Sequence, residues 1–576
     1  MTEMRRSTLR LYGPFIAVVL AQALFVVALP SNAPDRATLN VGAGGSTPQG
    51  GNSQKPGGAG STASSLGAGS SGAGASSSGA VGSNDGDATN AADGATSSAG
   101  GTGPAPGDAS HCAGPYQFDV LLGHGPPCQP VFAGDNGGAT HLGVTADSVK
   151  VVYFSPMQNE QANQILGVKG LAVTSDQQDA AIAAYQDFIN AHYELYGRKL
   201  VIKHVTTNCP ASPPDYDKCT AAAQKVVDEE HPFAVIWPTP TYADVFSTWA
   251  NAGVISIGGF GFDRSYYTDF RPFRYDLQMD GTQSADFIAE YYCKKLVGKP
   301  PDHAGAVIHP SIGSRNTPGL VRRLAVVSPE IRANTLTSQR LIDEVKACGG
   351  DVVDRPFTYS SDITTATTQT ESTIASLIQN RVTTIVCMCD VVAPIFFTKG
   401  LTSQQYFPEH VLPGMGLLDY DIAAQLYDQQ QWTHAFGPSQ LGIPTGLDDS
   451  DPGRVWRAQG NSGHPCGNNG CQLEWGYLQL AAEGIQQAGP TLNPLTFEQG
   501  LLYNTAPVGG AGHVPLYRWG PDDYTGVDDI KEVYWNPTAT SAVDGSTGAY
   551  IAVGGDTRYQ RGQLSAGLDP SIPVNP

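Results

Sequence analysis

Val149-Lys150-Val151-Val152-Tyr153-Phe154 is a short β-branched and aromatic run, continuous rather than alternating. A strand of that pattern is covered on both faces, as in a parallel sheet. Ser175-Asp176-Gln177-Gln178 follows as a capping box, and Ala181, Ile182, Tyr185, Phe188, Ile189 and His192 recur at helical spacing. Gly197 ends that helix. The unit then repeats: strand Leu200 to Val205, helix Asp217 to Glu229, strand Phe233 to Trp237, helix Tyr242 to Ala252, strand Val254 to Ile257. Strands alternating with helices at this spacing predict a parallel, doubly wound sheet.

A second set begins after a helix over Thr282 to Val297, whose apolar positions include Phe287, Ile288, Tyr291 and Leu296. Beyond a Pro- and Gly-broken loop between Lys299 and Arg322 come strand Leu324 to Val327, helix Ser338 to Ala347 and strand Val352 to Phe357. Helix Gln369 to Gln379, strand Thr384 to Met388 and strand Val411 to Leu412 complete it. The remaining chain offers helices at Leu473 to Gln487 and Phe497 to Leu502, then strand-like runs at Val514 to Arg518 and Lys531 to Trp535. A helix and a hairpin do not make a third core, so this part is expected to return to the first lobe. The expected division is a first lobe over 144–281, a second over 282–440, a return over 441–545 and a tail over 546–576.

Outside the lobes, Arg5, Arg6 and Arg10 precede an uncharged apolar run from Phe15 to Leu29. That is the build of an export signal or signal anchor, assigned to 1–34. Ser31 and Ala33 suit cleavage while Pro34 opposes it, so release and retention both stay open. Arg5-Arg6-Ser7-Thr8-Leu9-Arg10 also resembles a twin-arginine signal, with Thr8 in place of an aromatic. The first cysteine is Cys112, so no mature N-terminal cysteine is available for lipid attachment. Residues 35–110 are Gly, Ser, Ala, Thr and Asn with almost no aliphatic side chain, the composition of a disordered linker. As a flexible coil of roughly 75 residues it spans ~50 Å, and pulled straight ~250 Å. A tether through a cell wall and a spacer without a task are both open. The expected location is extracytoplasmic, secreted or held at the cell surface by the N-terminal segment, the chain's one expected membrane contact.

The 576 residues carry 33 Lys plus Arg against 53 Asp plus Glu, a net charge of −20. Beyond the extreme N-terminus no run of basic residues appears that could neutralise phosphates, which argues against nucleic acid. All ten cysteines lie beyond the linker of an exported chain, where disulfides are the default. Cys112 with Cys128, Cys209 with Cys219, and Cys466 with Cys471 each close a Pro- or Gly-rich loop, the first stapling an extension over 111–143. Cys293 with Cys348 would join two helices. Cys387 and Cys389 remain, two apart on one strand and so on one face. His464-Pro465-Cys466 with Cys471, or Cys387-Met388-Cys389, offers soft ligands. Neither supplies a second C-x-x-C or paired His at zinc spacing, so the reading is no metal and no cofactor.

Taken in order, several segments resemble the type I periplasmic solute-binding proteins, the leucine/isoleucine/valine-binding group of ABC transporter substrate-binding subunits. Gly143-Val144-Thr145-Ala146-Asp147-Ser148-Val149-Lys150-Val151 looks like that family's opening strand, and Tyr196-Gly197-Arg198-Lys199-Leu200 like its helix-to-strand step. Phe233-Ala234-Val235-Ile236 and Ala252-Gly253-Val254-Ile255-Ser256-Ile257 are similar to its third and fourth strands. Ala347-Cys348-Gly349-Gly350-Asp351-Val352-Val353 is similar to the matching turn of the second lobe. The resemblance runs from Gly143 to Pro537. It implies two α/β lobes joined by a hinge, a small-molecule ligand at the strand ends, closure on binding, and an ABC permease as partner. Ligands in open α/β sheets do sit outside the carboxyl ends of the strands, and hinge closure can bury them.

Those strand ends supply the candidate ligand-binding residues. In the first lobe they are Ser155, Thr239, Thr241, Tyr242, Gly259 and Phe260; in the second, Ser328, Glu330, Asp390 and Met415. Phe260 stands where the family's amino-acid binders carry a small polar residue, and Gly414-Met415-Gly416 lacks the acidic residue of that loop. Glu330 or Asp390 could replace the charge. Aromatic and apolar lining suits a larger or less polar ligand than leucine. Without G-x-S-x-G, H-E-x-x-H or P-loop lysine motifs, no enzymatic activity is expected. The expected function is capture of a small molecule for ABC-type import; the alternative is a surface sensor using the same fold without transport.

Overall fold

The strand that opens the fold, β1 (Ser148–Ser155), pairs on both sides with parallel neighbours. The structure, a computed structural model, describes residues 107–572 except 124, 211–215, 240–241, 260, 306, 309–319 and 505–513. The export segment and the linker up to 106 therefore lie outside the described residues. Strands β2 (Lys199–Thr206), β3 (Ala234–Ile236), β4 (Ile255–Ile257) and β5 (Arg274–Tyr275) complete an all-parallel sheet in the order β2-β1-β3-β4-β5. Its crossovers carry α1 (Glu160–Gly167), α2 (Ser175–His192), α3 (Tyr216–Glu230) and α4 (Val245–Asn251). The box that caps α2 sits one residue earlier than expected. Thr174 Oγ1 accepts the Gln177 N–H at 3.2 Å, and the Gln177 side chain accepts the Thr174 N–H at 3.0 Å. That leaves Gln178 free to reach elsewhere.

The second lobe is built on β6 (Arg323–Pro329), β7 (Asp351–Val352), β8 (Phe357–Tyr359), β9 (Thr384–Cys387), β10 (Glu409–Val411) and β11 (Ala435–Ser439), all parallel. Leu324 and Val326 of β6 pack with Phe287, Ile288, Leu341 and Ile342, from α5 (Gly281–Lys295) and α6 (Arg332–Ala347). Ala325 and Val327 pack on the opposite face with Ile374, Leu377, Ile395 and Leu401, from α7 (Ala366–Gln379) and α8 (Ala393–Ser403). Alternate residues of one strand thus serve two cores, which is why β6 reads as continuously apolar. The strand expected over Val352 to Phe357 is two strands, β7 and β8, both on β6. Pro356 between them has no N–H to give a ladder.

After β11 the chain returns to the first lobe as α9 (Asp451–Ala458), α10 (Gln472–Ala488) and α11 (Pro494–Gln499). Val455, Trp475, Tyr477, Leu478 and Phe497 share a core with Val151 and Trp249. The rest of the expected return does not follow them. Strand β12 (Asp529–Thr540) runs antiparallel to β11, with β13 (Thr547–Ala552) and β14 (Arg558–Gln560) antiparallel to it, so residues 529–572 close the second lobe instead of forming a hairpin on the first and a tail. A two-stranded hairpin alone is marginal. On the edge of β11, β12 buries Ile530, Val533 and Trp535.

Among the described residues the chain passes between lobes near 276–281, 440–450 and 514–528, and polar groups tie these passages together. Gln440 Oε1 accepts the Met279 N–H at 3.2 Å. Gln283 donates to Asp523 at 3.2 Å and Asp528 at 3.1 Å, while Thr525 Oγ1 donates to Gln283 at 2.7 Å. The sulfurs of Cys112 and Cys128, Cys209 and Cys219, Cys293 and Cys348, Cys387 and Cys389, and Cys466 and Cys471 are paired. No helix among the described residues is long and apolar enough to cross a membrane.

Candidate ligand-binding site

Both sheets end their parallel strands toward the same space, and there a cavity of about 480 Å³ lies between the lobes. From the first lobe, Ser155 closes β1, Trp237 and Thr239 follow β3, and Phe262 follows β4. From the second, Pro329 closes β6, Tyr359 closes β8, Cys387 closes β9, and Asp390, Phe396 and Phe397 follow. Asn159, which caps α1, Gln369 of α7, and Asn469 and Glu474 around the start of α10 complete the polar part. The volume is in the range of sites for drug-sized ligands, and the wall is apolar and aromatic with few polar groups, as such sites generally are.

Of the strand-end candidates, the structure brings Ser155, Thr239, Asp390 and Met415 to the cavity wall. Thr241 and Phe260 lie outside the described residues. Tyr242, Gly259, Ser328 and Glu330 do not line it. The pleat explains Ser328: Val327 and Pro329 face the cavity, so the residue between them points the other way and is fully buried. Gly259 lies beneath the wall, where an added Cβ would overlap Asp276 and the Tyr267 hydroxyl. Glu330 is exposed. Gly261, with φ 70°, lies where the lobes meet: a Cβ there would overlap the methyl of Met415.

The polar side chains are held by local geometry. In the second lobe, Tyr359 OH donates to Asp390 Oδ2 at 2.9 Å, and Asp390 Oδ1 accepts the N–H groups of Val392 and Ala393 at 2.8 and 3.0 Å, at the entry to α8. Asp362 Oδ1 likewise accepts the Thr364 N–H at 3.0 Å. In the first lobe, Ser155 Oγ donates to Gln178 Oε1 at 3.2 Å and lies 2.8 Å from His204 Nε2, whose ring also meets Asp179. Gln178 Nε2 donates to Glu474 Oε1 at 3.0 Å. Glu474 is 6% exposed, and its Oε2 is buried without a well-formed hydrogen bond among the described residues, the carboxyl lying beside the Tyr153 hydroxyl. Burial pushes this carboxyl above the usual range, against the smaller opposing pull of its hydrogen bonds. The Tyr153 and Tyr185 hydroxyls adjoin it, and both are pushed up, by burial and then by its charge.

Sequence reasoning missed Trp237, Phe262, Tyr359, Gln178 and Glu474. Trp237 and Tyr359 were within reach, because each sits at a strand end. Glu474 had no such signal: it lies in the first turn of a helix roughly 300 residues from Gln178 in sequence. The arrangement offers acceptors, hydroxyls and aromatic faces. Among the described residues, no three His, Cys, Asp or Glu side chains gather to hold a metal ion.

No protein-family model matches the chain, and no curated protein matches it. Among solved structures it is similar to a solute-binding protein of an ABC transporter from Rhodopseudomonas palustris BisB5, in complex with 3,4-dihydroxybenzoic acid. That match has 14% identity and a TM-score of 0.47, over 72% of this chain and 98% of the other. A second R. palustris solute-binding protein, in complex with 4-hydroxybenzoate, matches at 11% identity and TM-score 0.49, over 73% and 98%. A type 1 periplasmic binding protein from Bordetella pertussis Tohama I matches at 13% and 0.47, over 71% and 100%.

Proposed function

We propose that this chain is an extracytoplasmic solute-binding protein that captures a small molecule between its two lobes and passes it to an ABC-type permease. The observation that carries the reading is the 480 Å³ cavity, walled by the carboxyl ends of strands from both lobes. A ligand touching both walls has more contacts when the lobes are closed than when they are open, and that differential affinity shifts the population toward closure. Among the described residues three passages of the chain between lobes supply a hinge, and the ties from Gln440 and Gln283 link these passages. The resemblance of the strand segments to the type I family supports import as the purpose, and the N-terminal apolar segment supports a location outside the cytoplasm.

The test uses the full chain. A thermal-shift screen against amino acids, amides, sugars and lipophilic metabolites should yield a binder, worth ~2.7 kcal/mol of stability at a hundredfold excess over its dissociation constant. X-ray scattering with that binder should show a smaller radius of gyration. Scattering unchanged by every stabilising compound would overturn closure. Import is tested separately: cells lacking the gene should lose uptake of the binder, and unchanged uptake removes transport while leaving capture in place.

A further inference from the structure

We propose that the captured solute is a small organic cation with an apolar or aromatic body, its charged head received by Glu474. The inference rests on the capture reading above and narrows it to a ligand class.

Among the described residues, the cavity wall contains no Lys, Arg or His. It contains three carboxylates: Asp362 and Asp390 from the second lobe and Glu474 from the first. Two of these have local work. Asp390 takes hydrogen bonds from Tyr359, Val392 and Ala393, and Asp362 caps the turn at Thr364. Glu474 is different: one oxygen receives Gln178, and the other is buried with no well-formed hydrogen bond, the Tyr153 hydroxyl being the neighbouring polar group. A buried acceptor without a well-formed hydrogen bond is costly to the fold. An ammonium or amidine head entering the cavity supplies both the missing donor and the missing positive charge. His204, behind Ser155, is already paired with Asp179 and does not fill that role.

The rest of the wall fits the body of such a ligand. Phe154 and Trp237 lie with ring centroids 4.9 Å apart, and Phe262, Phe396 and Phe397 add aromatic surface. Aromatic faces attract a desolvated cation through their quadrupole. A carboxylate solute meets the opposite conditions: three acidic side chains on the wall and no basic partner among the described residues. Like charge facing a desolvated ligand is an effective means of exclusion. The chain's net charge of −20 favours encounters with cations over anions in general.

Three probes of one shape decide the matter: 4-phenylbutylamine, 4-phenylbutanol and 5-phenylvalerate, titrated calorimetrically into the full chain at neutral pH. The amine should bind at least about tenfold more tightly than the alcohol, a difference of ~1.4 kcal/mol, and the carboxylate more weakly still. Glu474→Gln should weaken the amine at least about tenfold while changing the alcohol by less than about twofold. The melting temperature of the free variant shows whether it is folded, and if it is not, the three wild-type affinities decide alone. Carboxylate binding as tight as the amine's, or amine binding unchanged by Glu474→Gln, would overturn the cation assignment and leave capture standing. If none of the three binds at about 10 mM, a concentration that detects interactions of only ~3 kcal/mol, the assignment also fails, and the broad screen then decides capture on its own.

Discussion

Removing one member of the buried pair Arg322 and Glu409 should cost far more than removing both. Glu409 begins β10 and is fully buried, with the Arg322 side chain 2% exposed beside it. Arg322 Nε and Nη2 donate to the two carboxylate oxygens at 2.7 Å each, and Thr384 Oγ1 and the Asp302 N–H add one bond apiece, also at 2.7 Å. Burial pushes the Glu409 carboxyl up, but Arg322 and these hydrogen bonds outweigh it and hold it below the usual range. Glu409→Leu strands a guanidinium in the interior, at a cost of ~3–5 kcal/mol. In Arg322→Met with Glu409→Leu no charge is stranded. What remains is the loss of partners for Thr384, Asp302 and the Leu296 and Lys299 carbonyls, ~1 kcal/mol or more each, offset by apolar packing and by removal of the desolvation penalty of two buried charges. The double variant should therefore lie within ~1–2 kcal/mol of the parent and be more stable than Glu409→Leu by at least ~2 kcal/mol. Urea unfolding of the parent, both single variants and the double variant measures each term. Glu409 lies at the amino end of β10, away from the cavity, so ligand affinity of the double variant should equal the parent's. A single substitution costing under ~1 kcal/mol, or a double variant no better than the worse single one, would refute the account of the pair.

Burial raises the Glu483 carboxyl from its ordinary 4.5 to about 7, with only Gln479 to oppose it. The folded state therefore holds this proton more tightly than the unfolded chain does. The resulting penalty is absent below pH 4.5, grows toward 7 and is full above it, on the order of ~3 kcal/mol. Glu483→Gln should raise the melting temperature at pH 8 and leave it unchanged near pH 4.5; equal shifts at both pH values would contradict this. Replacing Cys293 and Cys348 by Ser opens a loop with a sequence separation of 55 and should cost ~4 kcal/mol in the chain-entropy account. A loss under ~1 kcal/mol on urea titration would show that the link contributes little. Gly261→Val places a β-branched residue at φ 70° against Met415 and should destabilise by ~1–3 kcal/mol, with Met415→Ala recovering part of it. No recovery in the double variant would locate the strain in the backbone alone.

Alternation of strand and helix was legible because strands covered on both faces have no polar side to hide: Val151, Val152, Val326 and Val327 are all buried. The strand-end rule led to Ser155, Thr239, Asp390 and Met415, which the structure brings to one wall. It led equally to Ser328 and Gly259, because the rule names a loop and not the phase of the pleat. The helix α8 went unread although it fills the space beside β9. Its Phe396-Phe397 pair follows Pro394 and lacks a clear polar face, so it carries no amphipathic signature of its own.

Local chemistry, then, is enough to set which segments become strands and helices and which ends they present, since each depends on residues a few positions apart. The placement of β12 on the edge of β11, the meeting of Gln178 with Glu474 and the pairing of Arg322 with Glu409 join residues far apart in sequence. Such contacts are selected by the closing of whole cores, where burial decides which polar groups find partners. The enclosed carboxyl of Glu474 comes into being only when α10 docks against α2 and Gln178 meets it.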